Sequence, residues 1–109
     1  MEDVLVCISD FDDLELNNWY INGFEFKRMT LAAPEQYLVY DGTNTQVAFV
    51  RLRGGYLRAD APDCYMETIY QHKFFSKWMC CFKNDRQRVK YLSKIAKILA
   101  KRKNAWEHF

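Results

Sequence analysis

The stretch 37–60, YLVYDGTNTQVAFVRLRGGYLRAD, constrains the fold more than any other, because two turn signals divide it into three runs of strand-forming residues. Asp41-Gly42 opens one reversal and Gly54-Gly55 makes the other, glycine supplying the positive φ that tight hairpin turns need. The pattern predicts a three-stranded antiparallel meander. With Gly54-Gly55 as a two-residue loop, Arg53 stands opposite Tyr56, Leu52 opposite Leu57, Arg51 opposite Arg58 and Val50 opposite Ala59. Side chains alternate between the faces of a strand. One face therefore carries Ala48, Val50, Leu52, Leu57 and Ala59, a core face, and the other carries Val47, Phe49, Arg51, Arg53, Tyr56 and Arg58. A four-residue loop over 41–44 adds Tyr37 and Val39 to the core face and Leu38 and Tyr40 to the arginine face. A three-residue loop would reverse that strand, since a one-residue slip exchanges every side chain.

Around this meander the chain reads in order as follows. Residues 4–9, VLVCIS, are an apolar run that suits either a strand or one helical turn. From Ser9 to Asn22 the text is acidic, then aromatic, with a partial helical spacing that Asn22-Gly23 ends; a short helix or a packed loop is expected. Phe24 to Thr30 alternates as a strand, and Ala33-Pro34 interrupts the chain before the meander. Ala61-Pro62-Asp63 closes the meander, and Met66 to Tyr70 offers a further short edge strand. Residues 74–82, FFSKWMCCF, are the most apolar segment and are expected to cover the sheet; left exposed, they would form a docking patch.

The last element is the most regular. Asn84 can cap a helix, and Gln87 occupies the third helical position, where a capping box reaches back to the cap. Val89, Leu92, Ile95, Ala96 and Leu99 recur at steps of three and four, with Ile98 widening the stripe. Arg86, Arg88, Lys90, Lys94, Lys97, Lys101, Arg102 and Lys103 fill the remaining positions. The spacing predicts a helix from about Asp85 to Arg102 with one stripe on the sheet and a basic side facing out; its late cations suit the negative end of the helix dipole. The fold class expected is α+β, a single domain over 1–109: a small antiparallel sheet of about four strands covered by segment 74–82 and the amphipathic C-terminal helix.

Half of the 109 residues are hydrophobic and 17% are aromatic, which excludes a disordered chain. So many rings in so small a domain suggest that some serve a surface. A net charge of only +2 hides two polar ends. Glu2, Asp3, Asp10, Asp12, Asp13 and Glu15 stand without a cation among them, whereas 83–103 holds nine basic residues against Asp85. Those ends can neutralise each other within the domain, address different partners, or join two copies head to tail as a homodimer. No run is long and apolar enough to span a membrane, and Met1 is followed by acids rather than by a basic leader; a cytoplasmic protein is expected.

Chemistry is sparsely signalled. Cys7, Cys64, Cys80 and Cys81 are irregularly spaced and read as reduced thiols. Cys64, His72, Cys80 and Cys81 lack the close ligand pairs of zinc sites, so no metal or other cofactor is expected. Nothing in the spacing sets a base beside a thiol, and no phosphate loop, serine elbow or metalloprotease helix is present, so no catalytic residue is assigned and the chain is not read as an enzyme.

The constellation that remains is the arginine and aromatic face, Phe49, Arg51, Arg53, Tyr56 and Arg58, joined to the helix lysines Lys90, Lys94, Lys97 and Lys101. Arginine forks with rings suit protein hot spots and single-stranded nucleic acid alike. A cover over that face, with Val47 and Phe49 buried and the arginines paired to the acidic N-terminal segment, is the competing expectation. The phrases Trp19-Tyr20-Ile21-Asn22-Gly23, Ala33-Pro34-Glu35-Gln36-Tyr37 and Val47-Ala48-Phe49-Val50-Arg51-Leu52-Arg53 resemble the small, uncharacterised proteins carried by bacteriophages and prophages. The resemblance covers the middle third and includes no catalytic motif. It implies an inhibitor of a host defence or nucleic-acid machine, of anti-defence or anti-CRISPR type, acting in the host cytoplasm on a host protein or ribonucleoprotein complex. Direct RNA or DNA binding by the same residues is the alternative.

Overall fold

The computed structural model of the chain describes the backbone of residues 4–8, 17–30 and 33–107 and the side chains of 18–30 and 33–103. Among the described residues seven strands, β1 (Val4–Ile8), β2 (Asn17–Ile21), β3 (Phe24–Arg28), β4 (Glu35–Tyr40), β5 (Gln46–Arg53), β6 (Tyr56–Ala61) and β7 (Glu67–Lys73), precede one helix, α1 (Asp85–Glu107). Each strand pairs antiparallel with the next, so the sheet is a meander in chain order. The fold is α+β as expected, with a sheet wider than the four strands anticipated.

The difference begins at β2. Residues 17–21 form a strand rather than a helix or packed loop, and Asn22-Gly23 is a hairpin turn rather than a helix stop. Both turn residues have positive φ, 53° and 86°, and Ile21 pairs with Phe24 across them. Asn-Gly is the strongest two-residue hairpin signal, because both positions tolerate the left-handed region. Around it Trp19, Ile21, Phe24 and Phe26 are buried while Tyr20 is exposed, a period of two. The expectation for 9–16 lies outside the described residues.

At the central hairpin, Arg53 pairs with Tyr56, Leu52 with Leu57, Arg51 with Arg58 and Val50 with Ala59, the register read from the sequence. Gly54 and Gly55 take φ of 59° and 75°. The preceding turn is built differently from expectation. Tyr40 pairs with Gln46, leaving five residues between them, and the positive φ belongs to Asn44 (63°), not Gly42. Asp41 organises it, its Oδ1 accepting from Thr43 N–H (2.9 Å), Thr43 Oγ1 (2.7 Å) and Thr45 N–H (3.1 Å). An odd loop would reverse the faces of β4, but a bulge at Val47 shifts the register back, so that Val39 meets Ala48 and Tyr37 meets Val50. Tyr37 and Val39 therefore do face the core. The same bulge packs Val47 against the core cluster, not on the arginine face.

α1 lies on the inner face of the sheet. Leu92, Ile95 and Ala96 are wholly buried, with Val89 and Leu99 nearly so, against Trp19, Phe26, Tyr37, Val39, Leu52 and Leu57. Its start is capped by Asn84, whose Oδ1 accepts from Gln87 N–H (2.9 Å), while Gln87 Oε1 accepts from Lys83 N–H (2.7 Å), one residue before the cap.

Arg88 departs from the solvent side assigned to it. It is buried against Glu35, itself 1% exposed. Arg88 Nε donates to Glu35 Oε2 (2.6 Å) and Nη2 to Oε1 (3.0 Å), while Phe82 N–H donates to Oε1 (3.0 Å) and Tyr37 OH to Oε2. Arg88 also bonds Asp85, and Arg28 stands 3.7 Å from Glu35. Burial alone would raise the Glu35 carboxyl, but the bonds from Arg88, Tyr37 and Phe82 and the charge of Arg88 outweigh it and hold the carboxyl below its usual range. One carboxylate thus ties the helix to β4 and to segment 74–82.

That segment covers the core only in part. Phe82 is buried and Phe74 half-buried, both against Tyr91, whereas Phe75 and Trp78 are exposed, contrary to the expectation that the whole segment acts as cover. Between Phe74 and Met79, which pack on the core, the chain turns outward and carries Phe75 and Trp78 with it.

Candidate interaction surface

Strand alternation puts two polar rows on the outer face of the sheet. One runs Gln36, Arg51, Arg58 and Gln71 across β4 to β7, and the other runs Arg53, Tyr56 and Lys73. The helix occupies the opposite face. Arg53 and Tyr56 are exposed, and Arg51 and Arg58 half-buried. Tyr56 OH donates to Gln71 Oε1 (2.5 Å), which braces the ring across two strands.

The loop after β6 supplies the centre of this surface. Tyr65, with φ of 64°, is 68% exposed, and the guanidinium groups of Arg51 and Arg58 each lie 5.5 Å from its ring centre. Arg51 Nη2 also donates to Tyr65 OH (3.3 Å). Asp60 organises the arrangement from beneath. Buried at the end of β6, it accepts from Arg58 Nε (2.9 Å), Tyr65 N–H (2.9 Å) and Thr68 Oγ1 (2.9 Å). Burial raises the Asp60 carboxyl, but these three donors and the charge of Arg58 outweigh that and leave it below the usual carboxylate range. The carboxylate is therefore charged at neutral pH, and it holds Arg58 and the loop in one geometry. A guanidinium stacked on a ring keeps its fork edges available for a carboxylate or phosphate.

Of the residues singled out from the sequence, Arg51, Arg53, Tyr56 and Arg58 come together here. Phe49 does not: it shares the outer side by register but is 7% exposed, so it supports the surface rather than presenting to a partner. Lys90, Lys94, Lys97 and Lys101 are exposed on the far side of α1, across the core from the arginines. The stripe that buries the helix on the inner face turns its lysines away from the outer one, and Lys90 and Lys94 rest over the Tyr91 ring at 5.5 and 5.1 Å. The two basic elements thus form no common surface. Tyr65, Asp60, Gln71 and Lys73 went unremarked in the sequence. The alternation through β7 would have found Gln71 and Lys73, while the positive φ of Tyr65 has no local signature.

Other features are distinct from this surface. A cavity of about 640 Å³ lies between the later turns of α1 and the strand ends, lined by Phe24, Val47, Ala61 and Leu99 with Glu67, Arg102 and Lys103. Arg51, Arg53, Tyr56, Arg58 and Tyr65 do not line it. Cys64, Cys80 and Cys81 are free thiols, and among the described residues no three His, Cys, Asp or Glu side chains gather as a metal ion requires. No helix among the described residues is long and apolar enough to cross a membrane. Comparison of the chain with protein-family models, with curated proteins and with solved structures returned no match.

Proposed function

We propose that this chain is a non-enzymatic binding module that docks on a partner protein through the outer face of its sheet. The observation supporting this is the prearranged group of Arg51, Arg58 and Tyr65 over the buried Asp60, with Arg53 and Tyr56 exposed beside it. Rings and arginines held in place before contact lose little freedom on binding, which is the composition and economy of protein hot spots. The competing nucleic-acid reading needs a track of cations for successive phosphates, and the helix lysines that would extend such a track face away. The likeness to phage-borne proteins carries the reading one step further, to an inhibitor whose partner is a host protein or ribonucleoprotein machine.

Affinity capture from host lysate, with and without nuclease, tests the proposal. The expected result is a partner that survives nuclease and is lost when Arg51→Ala and Tyr56→Ala are combined, with the thermal unfolding midpoint little changed. A partner that vanishes with nuclease would replace this reading by direct RNA or DNA binding.

A further inference from the structure

The outer surface continues past Tyr56 onto the loop that follows β7. Phe74 N–H donates to Gly55 O (2.7 Å), and Gly55 N–H donates to Met79 O (2.7 Å), so the chain between them is strapped across the tip of the β5–β6 hairpin. The loop also closes on itself, Met79 N–H donating to Ser76 O (3.2 Å) and Trp78 N–H to Ser76 Oγ (3.3 Å). Phe75 is fully exposed and Trp78 is 81% exposed, the largest values among the described large hydrophobic residues. Their neighbours Phe74 and Met79 turn to the core cluster instead.

Two solvated rings on a pinned turn bury little surface in the monomer, and Trp is enriched at interface anchors. The charges around them indicate what kind of surface they meet. Arg53, Tyr56 and Lys73 stand in one row at the hairpin end, and Lys77 Nζ lies 5.7 Å from the Trp78 ring centre. No acidic residue occurs from 51 to 59 or from 68 to 84. A row of cations thus borders the hairpin end to which the loop that carries the rings is strapped.

Resting on the binding function proposed above, we infer that Phe75 and Trp78 are its anchor, inserting into an apolar pocket on the partner protein whose edge carries carboxylates that meet Arg53, Lys73 and Lys77. A protein pocket fits better than a nucleic acid, because the cations are few and clustered at one turn instead of strung along a groove. Gly55 is the positioning residue of this anchor. A Cβ there would come within 2.3 Å of Ser76 O, and its φ of 75° is one that side chains disfavour, so only glycine lets the loop approach the hairpin this closely.

The full-length protein is panned against a displayed library of random dodecapeptides, with an oligothymidylate as the nucleic-acid probe. Selected peptides are expected to combine Asp or Glu with Leu, Ile or aromatic residues, and to bind at least about tenfold more weakly to Phe75→Ala/Trp78→Ala at unchanged unfolding midpoint. Gly55→Ala, with both rings intact, is expected to lose binding as well. Peptides that depend on Arg51 and Tyr56 but not on Phe75 and Trp78 overturn the anchor and leave the outer-face reading standing. Peptides indifferent to all four residues, or a library that yields no binder, overturn both. Trp78-dependent binding of the oligothymidylate that exceeds the peptides makes the turn a base-stacking platform and overturns the protein pocket.

Discussion

Two carboxylates buried among the described residues act at the scale of single side chains, on opposite faces of the sheet. Glu35 faces the helix. With its side chain wholly buried and that of Arg88 9% exposed, removing the Glu35 charge leaves Arg88 in the core with an exposed carboxylate, Asp85, in place of a buried one. Glu35→Gln is therefore expected to cost about 3–5 kcal/mol in chemical denaturation, and Glu35→Leu with Arg88→Met to recover only part of that, since an apolar pair strands no charge but takes the acceptor from Phe82 N–H and Tyr37 OH. The pH dependence follows from the same bonds. Because the folded state holds the Glu35 carboxyl below its unfolded value, the stabilisation is present above about pH 4.3 and is lost as pH falls through the lower folded value. Stability of Glu35→Gln measured from pH 6 to about pH 2 should lack that part of the acid loss shown by the parent. Asp60 supports the outer face. Asp60→Ala removes the shared acceptor of the Tyr65 N–H, the Thr68 hydroxyl and Arg58, with an expected cost of about 1–3 kcal/mol. Hydrogen exchange at Tyr65 should quicken far more than exchange at Leu92, which would tie the effect to the loop and not to the fold.

Among the elements, α1 contributes more residues to the core cluster than any single strand. Leu92 and Ile95 have no exposed surface, so their truncation leaves cavities that the surrounding sheet can only partly close. Leu92→Ala and Ile95→Ala are each expected to destabilise by about 2–4 kcal/mol, read from denaturant midpoints at unchanged slope. Parent-like stability in both would mean that the helix does not seal the inner face. The hairpins depend on turn chemistry more than on burial. Asn22-Gly23 and Gly54-Gly55 supply the left-handed pairs that match strand twist, and the Val47 bulge restores the parity that a five-residue loop would otherwise upset.

For the whole molecule, the sheet separates two basic surfaces that a reading of charge along the chain would merge. The arginines and Tyr65 lie outside it, while Lys90, Lys94, Lys97 and Lys101 lie beyond the helix that fills its inside. Binding through one face alone predicts a shallow salt dependence. A single strand held by phosphate contacts would show a logarithmic slope of about 0.7 per phosphate, and an interface of rings and a few arginines much less. Titrations across salt concentrations should accordingly find only weak binding to generic RNA or DNA near physiological salt. Lys94→Ala with Lys97→Ala should leave partner affinity unchanged; a tight nucleic-acid complex whose slope falls in that variant would reverse the assignment of faces.

What the chain determines by itself is local in origin. The register across Gly54-Gly55, the gathering of Arg51, Arg53, Tyr56 and Arg58 on one side, the Asn84 cap and the stripe from Val89 to Leu99 each depend on neighbours a few residues away, and periodicity records such neighbours. The tertiary structure decided what covers what. Glu35 reaches Arg88 from 53 positions away, so nothing near Arg88 marks it as buried rather than as one more cation on a basic helix. Phe49 and Trp78 are both large aromatic residues in apolar surroundings, yet one is sealed and the other stands in solvent, because side-chain type fixes the benefit of burial and only the assembled sheet, helix and loops fix where the cover ends.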